Sequence, residues 1–150
     1  MSTPGPPMAD LPFLLMRAQS AVTEHINSRI VAHGHPGLRP VHGLVFARIA
    51  SAGATVNEIA AHLGVTKQSA AAIVETLEDQ GYVTRGPHPT DRRARLVELT
   101  RRGRAVTRLA AQSAADVAAD LERDIGHDAM ATVVGALQRL GTDATPRPLW

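Results

Sequence analysis

Side chains able to read the edges of DNA bases lie close together in residues 66–72. Lys67 can donate hydrogen bonds to guanine or to a phosphate, and Gln68 can form two hydrogen bonds with adenine. Small side chains beside them allow close approach to thymine methyl groups. The predicted contact residues in this run are Thr66, Lys67, Gln68, Ser69, Ala71 and Ala72. A solvated polar helix face gives the same pattern, so these residues alone leave both interpretations open.

A second group with the chemistry of a DNA contact is formed by Arg92, Arg93, Arg95 and Arg101. An arginine inserted into a narrow minor groove meets a concentrated negative potential. Asp91 is predicted to hold the Arg93 guanidinium through a paired hydrogen bond. Residues 84–108 contain eight arginines against two acids, whereas residues 109–150 contain three arginines against six acids. The basic charge is therefore concentrated where a DNA backbone would lie.

Two short helices separated by a tight turn would position the first group. Thr55 and Glu58 form a capping box, in which each side chain pairs with a free backbone N–H at the start of a helix. Gly64 ends that helix because glycine adopts the left-handed conformation at little cost, and Thr66 can cap the next one. Apolar residues of the second helix recur at helical spacing, namely Ala70, Ile73, Val74 and Leu77. This order is the pattern of a DNA-binding helix-turn-helix.

A β-hairpin would position the arginines. Residues 82–85 are β-prone, residues 86–90 have turn composition, and residues 93–99 alternate as a returning strand. The hairpin directly follows the second helix and so corresponds to the wing of a winged helix-turn-helix. The predicted fold class is mainly α with a small β-wing, flanked by N- and C-terminal dimerisation helices.

These motifs resemble those of the MarR family (multiple antibiotic resistance regulators), and the resemblance covers most of the chain. Its specific motifs are Ile59, Ala60, Leu63, Gly64 and Val65, then Leu77, Glu78, Gly81, Tyr82 and Val83, and finally Asp91, Arg92, Arg93, Leu99, Thr100 and Gly103. The resemblance implies that the helix from Thr66 is the recognition helix, that Arg93 enters the minor groove and that Asp91 supports it. Ala71 and Ala72 depart from the pattern, because the family often has polar or basic side chains there. Direct base readout is reduced accordingly.

The outer helices have more apolar surface than a monomer of this size needs. Asp10 is predicted to cap the first of them. Pairing the first and last helices of two chains would bury this surface and place two recognition helices about 34–36 Å apart, as a palindromic DNA operator requires. A compact monomer is the alternative. The predicted organisation is a flexible tail at 1–10, a single domain at 11–140 with dimerisation helices at 11–37 and 101–140 and the winged helix-turn-helix at 38–100, and an irregular tail at 141–150.

Several classes of protein are disfavoured. The chain has no cysteine, which excludes disulfides and thiol-based redox sensing. It has no long apolar run and no cleavable signal, so a cytoplasmic protein is expected. Catalytic motifs are missing, so neither an enzyme activity nor a cofactor is expected. His33, His35 and His42 are not spaced as a compact metal site, so no metal is predicted, and a metal-responsive regulator remains an alternative.

The resemblance also implies an effector pocket between the dimerisation helices and the winged helix, for which small phenolic or aromatic-acid ligands are usual. The residues assigned to it are Phe13, Met16, Arg17, His42 and Phe46. The alternative is that these residues belong to an ordinary core at helical spacing. The sequence thus predicts a homodimeric transcriptional regulator of double-stranded DNA, more readily a repressor than an activator. A winged helix that binds an acidic protein instead of DNA is the competing interpretation.

Overall fold

The computed structural model describes residues 10–144 as six helices and one two-stranded sheet. Residues 1–9 of the predicted N-terminal tail and residues 145–150 of the predicted C-terminal tail, including the terminal Trp150, lie outside the described residues. The elements in chain order are α1 Leu11–Ala32, α2 Pro40–Ile49, α3 Val56–Leu63, α4 Lys67–Asp79, β1 Val83–Pro87, β2 Arg95–Leu99, α5 Arg101–Ile125 and α6 His127–Gly141. The predicted fold class, a helical protein with a small β-wing, is confirmed.

The helix-turn-helix is formed by α3 and α4, and local hydrogen bonds fix its ends. The Thr55 amide donates to Glu58 Oε2 over 2.7 Å, and the Glu58 amide donates to Thr55 Oγ1 over 3.3 Å. Gly64 ends α3 with a φ of 65°, in the left-handed region that favours glycine. Thr66 then caps α4 by accepting a hydrogen bond from the Ser69 amide over 3.1 Å. The cap and stop residues predicted for the helix-turn-helix are all present.

The wing is an antiparallel ribbon with a third short contact at its base. β1 and β2 pair in the register that sets Val83 opposite Leu99 and Pro87 opposite Arg95, so the first strand runs two residues past its predicted end. Ala54 and Val97 also exchange two backbone hydrogen bonds, of 3.1 and 2.8 Å. The wing is therefore tied to the chain just before α3, and not only to its own hairpin.

The core lies within the winged helix-turn-helix and at the start of α5. Val45, Ile59, Val74, Leu77 and Val97 are essentially inaccessible to solvent and belong to one hydrophobic cluster. Each comes from a different element except for the pair on α4, so the cluster holds α2, α3, α4 and the wing together. This packing keeps α4 and the wing in one fixed relative orientation.

The outer helices pack with apolar residues still exposed. α6 has no buried residue. Large apolar side chains remain exposed on α1, α5 and α6, namely Leu11, Phe13, Leu14, Met16, Val31, Leu121, Ile125, Val133, Val134, Leu137 and Leu140. The predicted Asp10 cap is wrong in one respect, because the Asp10 side chain makes no capping hydrogen bond. Among the described helices, none is long and apolar enough to cross a membrane.

Candidate nucleic-acid interface

The predicted base-reading residues form one exposed surface at the start of α4. Thr66, Lys67, Gln68, Ser69 and Ala72 are exposed. Ala71 is half-buried, while the opposite side of the helix places Ala70, Val74 and Leu77 in the core. Ile73, which the periodicity assigns to the core, is also only half-buried. The polar residues are thus brought together at the helix N-terminus, where the partial positive charge of the helix favours phosphate.

The hydroxyl groups of Thr66 and Ser69 are ordered by each other. Thr66 Oγ1 accepts from the Ser69 amide and donates to Ser69 Oγ over 2.9 Å. Ser69 Oγ therefore already accepts one hydrogen bond, from the Thr66 hydroxyl, while its own hydroxyl proton is available to donate to another group. This arrangement presents Ser69 outward as a hydrogen-bond donor, which suits the acceptor atoms at the guanine edge in a major groove.

Arg92 and Arg93 are exposed at the tip of the wing, as the sequence predicts. The predicted pairing of the Asp91 carboxylate with the Arg93 guanidinium is wrong. Asp91 Oδ1 instead accepts from the backbone amide of Arg93 over 2.9 Å. A short side chain two residues back reaches the amide more readily than a flexible guanidinium. Asp91 therefore shapes the loop that carries Arg93 and leaves the Arg93 side chain free to extend.

The other predicted phosphate contacts have different surroundings. Arg95 is exposed but lies across the ribbon, where it donates to the Arg85 carbonyl over 3.2 Å. Arg101 is exposed in the first turn of α5. Arg85 itself faces Glu78 of α4, with 3.1 Å between Nε and Oε2. This ion pair links the end of α4 to the wing across seven positions of the chain, a contact that sequence analysis did not anticipate.

Tyr82 is a second residue whose role the sequence did not reveal. Its ring is buried, lies 5.9 Å from the Phe46 ring, and supports the Arg102 guanidinium 4.7 Å from its centroid. The Tyr82 hydroxyl accepts from Arg102 over 3.2 Å and lies 3.0 Å from His35 Nδ1. Arg102 is exposed, but its guanidinium is held against Tyr82, so it is less free to reach DNA than the local count of arginines implies.

A cavity of about 890 Å³ lies between α1, α2 and the start of α5. Of the five predicted pocket residues, His42 and Phe46 line it. Phe13, Met16 and Arg17 do not, because they lie in the exposed N-terminal part of α1, away from its walls. Polar residues of α1 that the sequence analysis missed also contribute, namely Gln19, Ser20, Thr23, Glu24 and Asn27. They follow the predicted segment along α1, from about half a turn to nearly three turns beyond Arg17.

His42 is the buried polar residue of this cavity wall. Its Nδ1 accepts from the Arg39 amide over 3.1 Å, which caps α2. Because Nδ1 is an acceptor, the neutral ring carries its proton on Nε2, and Nε2 has no hydrogen-bond partner among the described residues. Burial, and secondarily the charge of Arg39, lowers the pKa of His42 to about 4. His42 is therefore a neutral hydrogen-bond donor at physiological pH.

Acid is expected to destabilise the fold through His42. Between pH 6.5 and about 4, the unfolded chain binds a proton that the folded protein does not. The free energy of unfolding therefore falls as the pH is lowered through this window, by about 2 kcal/mol between pH 7 and pH 5 for this group alone. Urea unfolding at the two pH values measures the loss. The control is His42→Asn, which keeps an acceptor for the Arg39 amide but does not titrate. An identical pH dependence in both proteins would contradict the assignment.

The three histidines considered for a metal site are engaged separately. His33 Nδ1 lies 2.7 Å from the Arg29 carbonyl, His35 contacts Tyr82, and His42 caps α2. Within residues 10–144, no group of three or more metal-ligating side chains is placed to hold an ion.

Known proteins share parts of this sequence and the whole of this fold. The model of the MarR family matches residues 37–94, the segment that contains α2, α3, α4, β1 and most of the wing-tip arginines. This segment of the chain is similar to the MarR family. The family resemblance inferred from the sequence motifs is therefore confirmed, and the matched segment includes the exposed face of α4.

Solved structures resemble this chain over nearly its whole length. The transcriptional repressor CouR bound to a 23-mer DNA duplex is 27% identical with a TM-score of 0.68, covering 91% of this chain and 98% of that one. CouR from Rhodococcus jostii RHA1 bound to p-coumaroyl-CoA is 24% identical with a TM-score of 0.69, covering 92% and 96%. RV1404 from Mycobacterium tuberculosis is 20% identical with a TM-score of 0.75, covering 97% and 100%. The comparison with curated proteins gives no match.

Proposed function

We propose that this protein is a homodimeric, sequence-specific DNA-binding regulator that represses transcription of nearby genes. The observation that carries the proposal is the joint exposure of the α4 N-terminus and the wing arginines on one packed unit. A base-reading helix in the major groove and an arginine in the adjacent minor groove need such a fixed arrangement. The 27% identity to a repressor solved with DNA adds support.

The charges around this surface also favour DNA over an acidic protein. Arg92, Arg93 and Arg101 are exposed together, whereas the acids of α4 begin only at Glu75, in its third turn. Within residues 66–74 and 88–95 the only acid is Asp91, so the start of α4 and the wing tip present positive charge. A surface that combines this charge with hydrogen-bond donors such as Lys67 fits a phosphate backbone and the base edges between its strands.

The exposed apolar side chains of α1 and α6 support the proposed homodimer. Leu11, Phe13, Leu137 and Leu140 are between 48% and 63% exposed, which is costly for a monomer in water. Pairing these helices with those of a second copy would bury them and give a two-fold axis. Two copies of α4 would then meet successive major grooves of a palindromic operator.

Fluorescence anisotropy with duplex DNA from the gene's own upstream region tests the function. We expect saturable binding of one dimer per site, much tighter than binding to a random duplex of equal length across a salt series. Analytical ultracentrifugation gives the stoichiometry independently. Equal and weak binding to both duplexes would overturn the proposal, and a protein partner of the wing would then be the better explanation.

Lys67→Ala is expected to reduce the salt dependence of DNA binding. Lys67 is exposed at the first residue of α4, where its amine can reach a phosphate. The loss of one phosphate contact lowers the slope of log K against log salt by about 0.9. The control is Arg123→Ala, which removes one positive charge at the far end of α5. If Lys67→Ala leaves the slope of log K against log salt unchanged, the Lys67 amine contacts a base edge or solvent and not a phosphate.

We further propose that the cavity beside His42 binds a small aromatic effector that releases DNA. The lining combines Phe46, Ile30 and Val106 with His42, whose buried Nε2–H has no partner among the described residues and could donate to a ring bearing an acceptor oxygen after a small shift of the imidazole. The similarity to CouR bound to p-coumaroyl-CoA adds support. Calorimetric titration with p-coumarate and p-coumaroyl-CoA, with and without DNA, tests this, since an effector must bind more weakly to the DNA-bound state. Equal affinity in both states would exclude a releasing role.

A further inference from the structure

The wing-tip loop, residues 88–94, is held by two side chains that lie within it. His88 Nδ1 lies 3.3 Å from the Thr90 amide and 3.1 Å from the Asp91 amide, and both amides donate to it. Asp91 Oδ1 then accepts from the Arg93 amide over 2.9 Å. The Ala94 amide closes the loop by donating to the Asp91 carbonyl over 3.1 Å. Most of the backbone donors that surround Arg92 and Arg93 are thus satisfied inside the loop.

These bonds replace the packing that other parts of the fold rely on. The loop has no buried residue, and only His88 and Ala94 are even half-buried. The one backbone bond that joins its ends, from the His88 amide to the Ala94 carbonyl, is long at 3.4 Å. An exposed loop without core contacts is ordered only as far as its hydrogen bonds offset the entropy of the chain. The imidazole acceptor therefore determines how well the loop is ordered.

The sequence around His88 prepares the ring for this role. Pro87 and Pro89 flank it, and Pro89 restricts His88 to extended backbone. An extended residue directly before a turn can direct a side-chain acceptor back to the amides two and three positions ahead, as in an Asx-type turn. Two donated hydrogen bonds at Nδ1 also fix the tautomer, because the proton of the neutral ring must lie on Nε2.

We propose that His88 is a positioning residue for DNA binding, which orders the wing-tip loop so that Arg92 and Arg93 face the groove together. The proposal rests on the DNA-binding function argued above and extends it to a residue outside the predicted contacts. His88 acts through the backbone of Thr90 and Asp91 and does not itself touch DNA. Its essential feature is an acceptor at the position of Nδ1.

Three substitutions separate the acceptor from the rest of the ring. His88→Asn places an amide oxygen close to the position of Nδ1, His88→Gln carries the same amide one carbon farther out, and His88→Ala has no acceptor. We expect the Asn variant to bind upstream DNA within twofold of the wild type. The Gln and Ala variants should bind about tenfold more weakly, since loop order must then be acquired on binding. All four proteins should unfold at similar urea concentrations, because the loop lies outside the core.

Limited trypsin digestion provides a readout that does not need DNA. Cleavage after Arg92 and Arg93, followed by mass spectrometry, reports loop opening, and cleavage after Arg123 in α5 serves as the internal reference. Cleavage at the wing relative to α5 should rise severalfold in His88→Ala and His88→Gln and stay near the wild-type ratio in His88→Asn.

The outcomes distinguish the two proposals. If the wild type binds no DNA specifically, the proposed function fails, and unchanged digestion ratios would overturn the positioning role separately. If DNA binds but the Asn variant is as weak as the Gln variant, the ring acts as a direct contact, and the positioning role is wrong. Wild-type affinity and digestion in all three variants would also overturn it.

Discussion

Gly103→Ala is expected to destabilise the protein more than the same substitution at the other helical glycines, Gly43, Gly135 and Gly141. A Cβ at this position would lie 2.1 Å from the Tyr82 carbonyl oxygen and 2.9 Å from Leu99 Cδ2. The nearest of these atoms is backbone, held in place by hydrogen bonds from the Thr100 amide and hydroxyl. Relief of the clash requires α5 to move away from the wing, at a cost of about 3 kcal/mol or more. The helix propensity gained by alanine, about 1 kcal/mol, does not offset it.

Urea unfolding followed by far-ultraviolet circular dichroism measures this loss, and Gly43→Ala is the matched control. Gly43 also lies within a helix, α2, but a Cβ there meets no atom within 4 Å. The control should gain about 0.5–1 kcal/mol. Equal midpoints for Gly103→Ala and the wild type would show that α5 does not pack on Tyr82 as described.

Arg93→Ala is expected to weaken binding to upstream DNA by roughly tenfold to a hundredfold, the range for loss of a well-placed arginine contact. Alanine keeps the backbone amide that donates to Asp91, so the loop should keep its shape. Only the exposed guanidinium is removed. If that group lies in a minor groove, the loss should be larger for a duplex with an A·T-rich flank, where the groove is narrow, than for a G·C-rich one.

Anisotropy titrations at fixed salt test the Arg93 prediction. Arg123→Ala removes the same side chain from the distal end of α5, where it pairs with Asp120, and should bind DNA like the wild type. If both variants lose the same amount of DNA affinity, the effect comes from the change in net charge and not from a specific contact of Arg93. If Arg93→Ala binds DNA with the affinity of the wild type, the tip of the wing is not part of the DNA interface.

Local chemistry made much of the fold predictable from the sequence. Thr55 with Glu58, Gly64 and Thr66 act on neighbours within four residues, so their types and spacing suffice to place the ends of α3 and α4. The alternation around Val97 likewise depends only on strand geometry. The wing and helix-turn-helix were therefore recognised in the right order with bounds accurate to a few residues.

The features that sequence analysis missed depend on contacts between distant residues. Tyr82 meets His35 and Arg102 across 47 and 20 positions, and no periodic pattern encodes such pairs. His42 was assigned to a pocket by resemblance, but its burial and unpartnered Nε2 emerge only when α1 and α5 pack over α2. The wrong prediction for Asp91 has a different cause. Arg93 offers the Asp91 carboxylate two possible donors, the guanidinium and the backbone amide, and the geometry of the loop selects the amide.

The composition has a practical consequence at the start of α4. Arginine supplies all but one of the basic side chains, and the single lysine is Lys67, exposed at the first residue of that helix. Apart from the amino terminus, an acylating reagent therefore has one amine to modify. DNA seated on α4 would shield this amine, whereas the free protein would react. The mass of the tryptic peptide that contains Lys67 can thus show whether DNA covers the start of α4, without any substitution in the protein.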